Sequence, residues 1–323
     1  MKMRVPSVRP IVLAILLTTF TAQSFSQALS FADGKFEVGV GIGPSFFLGD
    51  LGGTRGKGKT FVKDLNIPLT KMMKGVYVNI YPAEWIGFRI AANIGKLEGF
   101  DSLIANHGGE EMFRKVRNLD FRSNLLEAYV AAEIYPTVLL ENYDGLLHKL
   151  RPYGVMGIGM FHFNPQGIYI APNGSRSWVD LKPLRLEGQG MAEYPDRKPY
   201  SLTQLMLPMG FGLKYYFNEG TYVGFEILHR KTFTDYIDDV SKDYIDPKLF
   251  DKYLTPSQAT IAKQLYYREN LYNSSNTAFI GEQRGDPKQN DAYFSAIFRL
   301  GWRIGGSSEY NRIKQQLRCP HFY

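Results

Sequence analysis

The 323-residue sequence contains a single cysteine, Cys319. That excludes an internal disulfide framework and any multi-thiolate zinc or iron–sulfur centre. Charged residues are sparse, at 21%, and the 38 basic and 31 acidic side chains leave a formal charge of +7. No basic stripe interleaved with aromatics accompanies that charge, so nucleic acid is not an expected partner. No apolar run reaches the roughly 20 residues that a membrane helix needs. The 32 glycines and 17 prolines fall far short of collagen, while 44% hydrophobic and 14% aromatic residues exclude wholesale disorder. Five histidines (His107, His148, His162, His229 and His321) lack HExxH or paired ligand spacing. The glycines of Gly39-Val40-Gly41-Ile42-Gly43 alternate inside a strand-like run instead of following the dinucleotide-loop spacing. No cofactor is expected.

What the chain does contain begins with a leader. Lys2, Arg4 and Arg9 precede an apolar stretch from Ile11 to Phe20, and small residues follow at Ala22, Ser24 and Ser26. A basic start, a short apolar core and a small-residue site read as a secretory signal peptide over 1–26. Its removal lowers the formal charge to +4.

Beyond the leader the repeating signal is alternation with period two, the pattern of strands. Eight segments show it: 36–47, 76–81, 86–96, 125–135, 153–163, 205–217, 222–230 and 292–304. In 86–96, Ile86, Phe88, Ile90, Ala92 and Ile94 oppose Arg89, Ala91, Asn93 and Gly95. In 125–135, Leu126, Ala128, Val130, Ala132 and Ile134 oppose Glu127, Tyr129, Ala131 and Glu133. The facing of 153–163 is ambiguous. Tight connectors after the second and sixth segments alternate with long ones at about 48–73, 98–120, 164–202 and 234–290. Short turns on one rim and long loops on the other predict an eight-stranded antiparallel up-and-down transmembrane β-barrel over 27–304, with both termini periplasmic. A soluble barrel or sandwich also alternates, but its second face would meet water. Here that face is Gly, Tyr, Ala and a few charges of both signs, which suits a lumen only wide enough for side chains. Such a barrel belongs in the cell outer membrane, surrounded by lipid. Tyr81, Trp85, Tyr135, Phe217, Tyr222 and Trp302 gather at the short-turn ends and are expected to form the interfacial girdle.

The candidate site is that lumen. Arg89, Glu127, Glu133, Lys214, Glu226, Arg299 and Arg303 share its face and must pair, because an unpaired buried charge costs several kcal/mol. They form either an ion conduit or a plug of salt bridges. Strand adjacency suggests Arg89–Glu127 and Glu226–Arg299 as pairs. In the last long loop Asp235, Asp238 and Asp239 are weak candidates for Ca²⁺, although aspartates equally serve turns and caps. There too, Thr255-Pro256 reads as a helix start, with a short helix to about Leu271. A tail over 305–323 carries Arg312, Lys314, Arg318 and Cys319. These are candidate partner contacts, and a lone exported cysteine either forms an intermolecular disulfide or stays a free thiol. A small outer-membrane hydrolase would need a Ser–His pair with an orienting acid, for which only His162 and Ser201 offer themselves. A passive pore or an adhesin is the other alternative.

Several stretches together carry a resemblance. These are RNLDFRS (Arg117 to Ser123), RPY (Arg151 to Tyr153), FHFNP (Phe161 to Pro165), PLRLEGQG (Pro183 to Gly190), RKTFTDYIDDVS (Arg230 to Ser241), YIDP (Tyr244 to Pro247), RGDP (Arg284 to Pro287) and a CP-x-F tail (Cys319 to Phe322). In these the chain resembles the Bacteroidetes outer-membrane β-barrel family that includes PorG, a type IX secretion component. The resemblance implies an eight-stranded barrel without catalytic residues. It also implies a role in anchoring a periplasmic ring of lipoprotein and associated subunits that serves protein secretion and, in some species, gliding.

Overall fold

The computed structural model describes residues 36–51, 70–83, 85–104, 111–139, 149–218, 220–273, 275, 277 and 279–304. The signal-peptide segment and the whole 305–323 tail, including Arg312, Lys314, Arg318 and Cys319, lie outside the described residues.

Among the described residues nine strands form: β1 (Phe36–Leu48), β2 (Lys71–Ala83), β3 (Ile86–Phe100), β4 (Asp120–Ile134), β5 (Leu150–Ile170), β6 (Arg176–Asp180), β7 (Thr203–Asn218), β8 (Thr221–Thr232) and β9 (Ala292–Ile304). Eight of them pair in the order β4-β3-β2-β1-β9-β8-β7-β5, and β4–β5 pairing closes the ring. Every pairing is antiparallel. β6 is an unexpected addition: it folds back on the outer end of β5 as a hairpin outside the ring. Phe36 pairs with Ile304, so the chain enters and leaves the barrel at the short-turn rim.

The outward face decides which solvent the wall meets. Along β4, Leu126 is 55% exposed and Val130 52%, while Glu127 between them and Glu133 beyond are fully buried. The same inversion holds along β1, β2, β3, β5 and β7. In β5, whose facing the sequence leaves open, Met156, Ile158 and Met160 look outward, and Val155, Phe161 and Phe163 inward. A belt of Ile, Val, Leu, Met and Phe on the outside of a closed sheet is stable against lipid and not against water. Closure leaves no strand edge to be satisfied there.

The strands outrun their alternating cores on the long-loop side. β2 begins at Lys71, β3 continues to Phe100, β4 starts at Asp120 and β5 runs to Ile170. The extensions lift the wall above the apolar belt and carry a folded extracellular cap. It is built from α1 (Glu111–Arg117), α2 (Lys248–Tyr253), α3 (Pro256–Tyr266), α4 (Glu269–Tyr272), the β5–β6 hairpin and the 181–202 segment. The cap has its own apolar core, in which Ala259, Ala262 and Leu265 of α3 meet Leu181, Leu184, Leu186, Tyr244 and Phe250. The expected single helix to Leu271 is broken: α3 stops at Tyr266 and α4 follows. The intervening Arg268 is drawn aside to Asp120 and to the Ile168 carbonyl.

Candidate functional site: the lumen and its cap

Lumen-facing positions come from strands whose neighbours are small. Tyr77 lies opposite Gly39, and Tyr222 opposite Gly301. A Cβ on Gly39 would stand 2.3 Å from the Tyr77 hydroxyl, and one on Gly301 2.3 Å from the Tyr222 ring. Glycine therefore lets one tyrosine lie across the neighbouring strand and fill the bore. The two hydroxyls meet at 2.8 Å.

The charges interlock around these rings. Arg89 contacts Glu133 and reaches Glu226 at 2.7 Å. Arg299 bonds the other Glu226 oxygen at 2.5 Å. Lys214 bridges Glu37 at 2.9 Å and Glu133 at 3.2 Å, donates to Tyr81 at 2.6 Å, and lies 4.7 Å over the Tyr222 ring. Arg303, less buried, closes the short-turn end on Glu37 at 3.3 Å. A second, higher layer has Glu127 accepting from Arg230 (2.7 Å), Asn93 (2.6 Å) and Tyr293 (2.6 Å). All seven charges named from the sequence face the lumen, but the Arg89–Glu127 pairing does not form: Arg89 pairs with Glu133 and Glu226, and Glu127 with Arg230. Glu226–Arg299 is present. Glu37 and Arg230 belong to the network as well, and parity was their signal, since Glu37 alternates with Val38 and Arg230 continues the face of Glu226.

The girdle also needs correction. Tyr135 and Tyr222 are buried, and Tyr81 donates to Glu37 at 2.7 Å, so these three belong to the lumen. Trp85, Phe217 and Trp302 remain exposed at the short-turn rim.

Above the second layer an aromatic column continues into the cap. Ring centroids step from Tyr293 to Phe161 (5.7 Å), Phe163 (5.4 Å), Tyr200 (6.1 Å) and Tyr236 (4.8 Å). There RNLDFRS, PLRLEGQG, RKTFTDYIDDVS and RGDP converge on one buried knot. Arg117 bonds Asp101 at 2.8 Å, the Asp50 carbonyl at 2.6 Å and the Arg284 carbonyl at 2.5 Å. Glu187 accepts from the Ser241 and Lys242 amides and pairs with Arg284 at 2.9 Å. Arg284 also donates to the Asp239 carbonyl at 2.6 Å.

The aspartates of this knot serve loop backbone. Asp238 accepts from the Leu51 and Val240 amides, Asp291 from Ile237 and Asp50 from Asp286. Asp239 sits at φ 62° and accepts from the Tyr200 hydroxyl at 2.7 Å. Among the described residues no group of three or more His, Cys, Asp or Glu side chains is placed to hold a metal ion. Asp235, Asp238 and Asp239 are all buried, and Asp238 serves a turn by accepting from the Val240 amide two residues on. Burial pushes the Asp239 carboxyl up to about 7, against the opposing pull of Arg284. Burial, and then the mutual repulsion of Asp50, Asp235, Asp238 and Asp291, hold Asp238 and Asp291 well above the ordinary range. As for a hydrolytic pair, His162 bonds the Thr203 hydroxyl at 3.0 Å and Ser201 accepts from the Thr203 amide.

No family model and no curated protein matches the chain. Solved structures to which it is similar are bacterial outer-membrane proteins. The attachment invasion locus protein Ail of Yersinia pestis, solved with the heparin analogue sucrose octasulfate, is 8% identical with a TM-score of 0.34, over 83% of this chain and 98% of that one. OprG from Pseudomonas aeruginosa is 10% identical with a TM-score of 0.34, over 85% and 99%. E. coli outer membrane protein W is 12% identical with a TM-score of 0.31, over 84% and 98%. At these values the assignment of fold rests on the strand pairings and the closed ring described above.

Proposed function

We propose that this chain is a non-enzymatic outer-membrane barrel that anchors a periplasmic secretion assembly, in the manner of the PorG-containing family its motifs resemble. The single observation carrying the reading is that the bore is filled from end to end. Interlocked ion pairs occupy its lower half, an aromatic column its upper half, and a folded cap its mouth. Among the described residues, a barrel so stoppered offers neither a water path nor a substrate chamber. The surfaces left for function are its rims and its lipid-facing wall. The chain leaves at the short-turn rim after Ile304, and the basic tail with Cys319 follows in sequence. That tail is the proposed contact with the ring lipoprotein and its associated subunits, by charge and by an intermolecular disulfide through Cys319.

Deleting Ile313 to Tyr323 should leave the barrel inserted while co-purification of periplasmic partners and type IX export are lost. Retained co-purification argues against the tail as contact. On non-reducing gels of whole envelopes, wild type should show a higher-mass band that Cys319→Ser lacks. A pore is the competing reading. It requires steady conductance in planar bilayers, where the filled bore should remain silent.

A further inference from the structure

The lipid-facing wall carries one feature that an anchoring role does not require. Across β9, β1, β2 and β3 the strand register aligns two rows of outward side chains. The lower row is Leu300, Val40, Val76 and Ala92; the upper is Phe298, Ile42, Lys74 and Ile94. Together they line a groove of about 780 Å³ whose wall is almost wholly apolar. Short side chains at Ala92, Val40 and Val76 form its floor, and Phe298 and Ile94, each about 60% exposed, stand at its edges.

Of its polar lining residues, Asn93 and Arg299 are buried on the lumen face, and Lys74 is exposed on the outward face. It lies nine residues above Ala83, the last residue of β2. At about 3.3 Å per residue and a tilt of about 40°, that is a rise of about 23 Å, the outer boundary of an apolar band about 25 Å tall. Lys96, two residues beyond the Ile94 that pairs with Lys74, is exposed on the same face. Such diagonal neighbours lie about 7–8 Å apart. Among the described residues neither lysine has a carboxylate partner. Glu98, the next outward acid, is taken by Lys71 at 2.9 Å.

We propose that this groove and the Lys74–Lys96 pair bind a phosphate-bearing lipid of the outer leaflet, an acyl chain lying on Val40, Val76 and Ala92 and the phosphate between the two ammonium groups. An occupant at this depth must be apolar below and anionic above. Two lysines at diagonal positions about 7–8 Å apart, at headgroup height, supply the complementary charge. A second copy docking through the groove about a two-fold axis would bring like charges together, because such a contact uses the same patch on both subunits. The proposal rests on the membrane-spanning reading of the wall and is independent of the tail's role as a partner contact.

Native mass spectrometry of the full chain in mild detergent, titrated with bisphosphorylated lipid A or its dephosphorylated form, tests this. Wild type should retain one bisphosphorylated lipid at concentrations where the dephosphorylated form is lost. Each of Lys74→Gln and Lys96→Gln should weaken retention about fivefold, the worth of one lysine at an anionic lipid surface. Ala92→Trp, which fills the floor without altering charge, should also weaken it. Lys231→Gln, on exposed β8 surface outside the groove, should not. Inorganic phosphate should not compete, which separates a lipid headgroup from free phosphate. Equal retention of the two lipid forms overturns the proposal, as does a double Lys74→Gln/Lys96→Gln variant that holds lipid like wild type. A dimer dissociated by Ala92→Trp would assign the groove to a second copy instead. Heat-modifiable migration of each variant checks insertion separately, and a barrel that failed it in wild type would undo the membrane reading itself.

Discussion

The lumen and the cap both bury charge, but they do so by different chemistry. In the lumen each carboxylate meets a cation: Glu133 and Glu226 share Arg89, Glu37 takes Lys214 and Arg303, and Glu127 takes Arg230. The strands have already satisfied their backbone groups in the ring, so side chains are free to neutralise one another. In the cap the long loops lack a ladder, and carboxylates must accept from exposed amides. Asp50, Asp238, Asp291 and Glu187 do this for the 237–242 and 286 segments and for Leu51. Acid therefore outnumbers base in the cap. Arg117, Arg197, Arg268 and Arg284 are buried cations that bond carboxylates there, at Asp101, Asp243, Asp120 and Glu187.

The largest expected effect breaks the balanced side of that contrast. Glu133→Gln leaves Arg89 with Glu226 alone and Lys214 with Glu37 alone, so net positive charge is buried. Removing one member of a buried network costs about 3–5 kcal/mol. Urea unfolding in micelles should show that loss, and the double variant Glu133→Gln/Lys214→Met should recover most of it. If the double variant were no more stable than the single, the lumen would not be a charge-matched unit.

On the cap side, Arg117→Ala removes the donor that joins Asp101 to the Asp50 and Arg284 carbonyls. A cost of about 3 kcal/mol is expected, but locally, because the ring's own pairings are untouched. Limited proteolysis should cut the 234–290 loop while the barrel keeps its heat-modifiable migration. Simultaneous loss of both would show the two regions to be one cooperative body.

How much of this could be read beforehand follows the same division. Alternation located every barrel strand because the lipid and the lumen impose opposite chemistry on successive residues. It failed where that contrast ends. Lys71–Gly75, Asp120–Asn124 and the outer half of β5 lie at or above the edge of the apolar belt, so their outward face no longer needs to be apolar, and β6 never meets lipid. Pairing by strand adjacency missed Arg89–Glu226 because an eight-stranded bore is narrow enough for side chains to meet across it, from β3 to β8. Residue type misled at the rim: tyrosine suggested a girdle, while parity put Tyr135 on the Glu133 face. In the cap, no periodicity announced that RNLDFRS, PLRLEGQG, TFTDYIDDVS and RGDP would interlock, since these contacts join loops up to 167 residues apart in sequence.

A pH series sharpens the contrast at smaller amplitude. Asp239 has a folded value of about 7, raised by burial, against about 3.9 for an unperturbed aspartate. A raised folded value means that the native cap holds the proton more tightly than the unfolded chain. Its stabilising contribution is complete below about pH 4 and is lost as pH rises through about 7. Amides of 237–241, corrected for intrinsic exchange, should lose protection between pH 5.5 and 8. Asp239→Asn keeps an acceptor for Tyr200 and should flatten that dependence.

The smallest effect concerns α3, where the cap depends least on charge. Thr255 accepts from the Gln258 amide, and Gln258 returns a bond to the Thr255 amide, a reciprocal capping box with Pro256 at the first helical position. Thr255 is exposed and Gln258 half-buried, so water replaces much of what a substitution at Thr255 removes. Thr255→Ala should cost about 1 kcal/mol, and Thr255→Ser a fraction of that. The loss should register as faster exchange confined to the first turn of α3. Ala259, Ala262 and Leu265, packed on Leu181 and Phe250, hold the remainder of the helix independently of its cap. Exchange spreading to those residues would mean that the apolar core of the cap, and not only its polar knot, depends on how its loops are terminated.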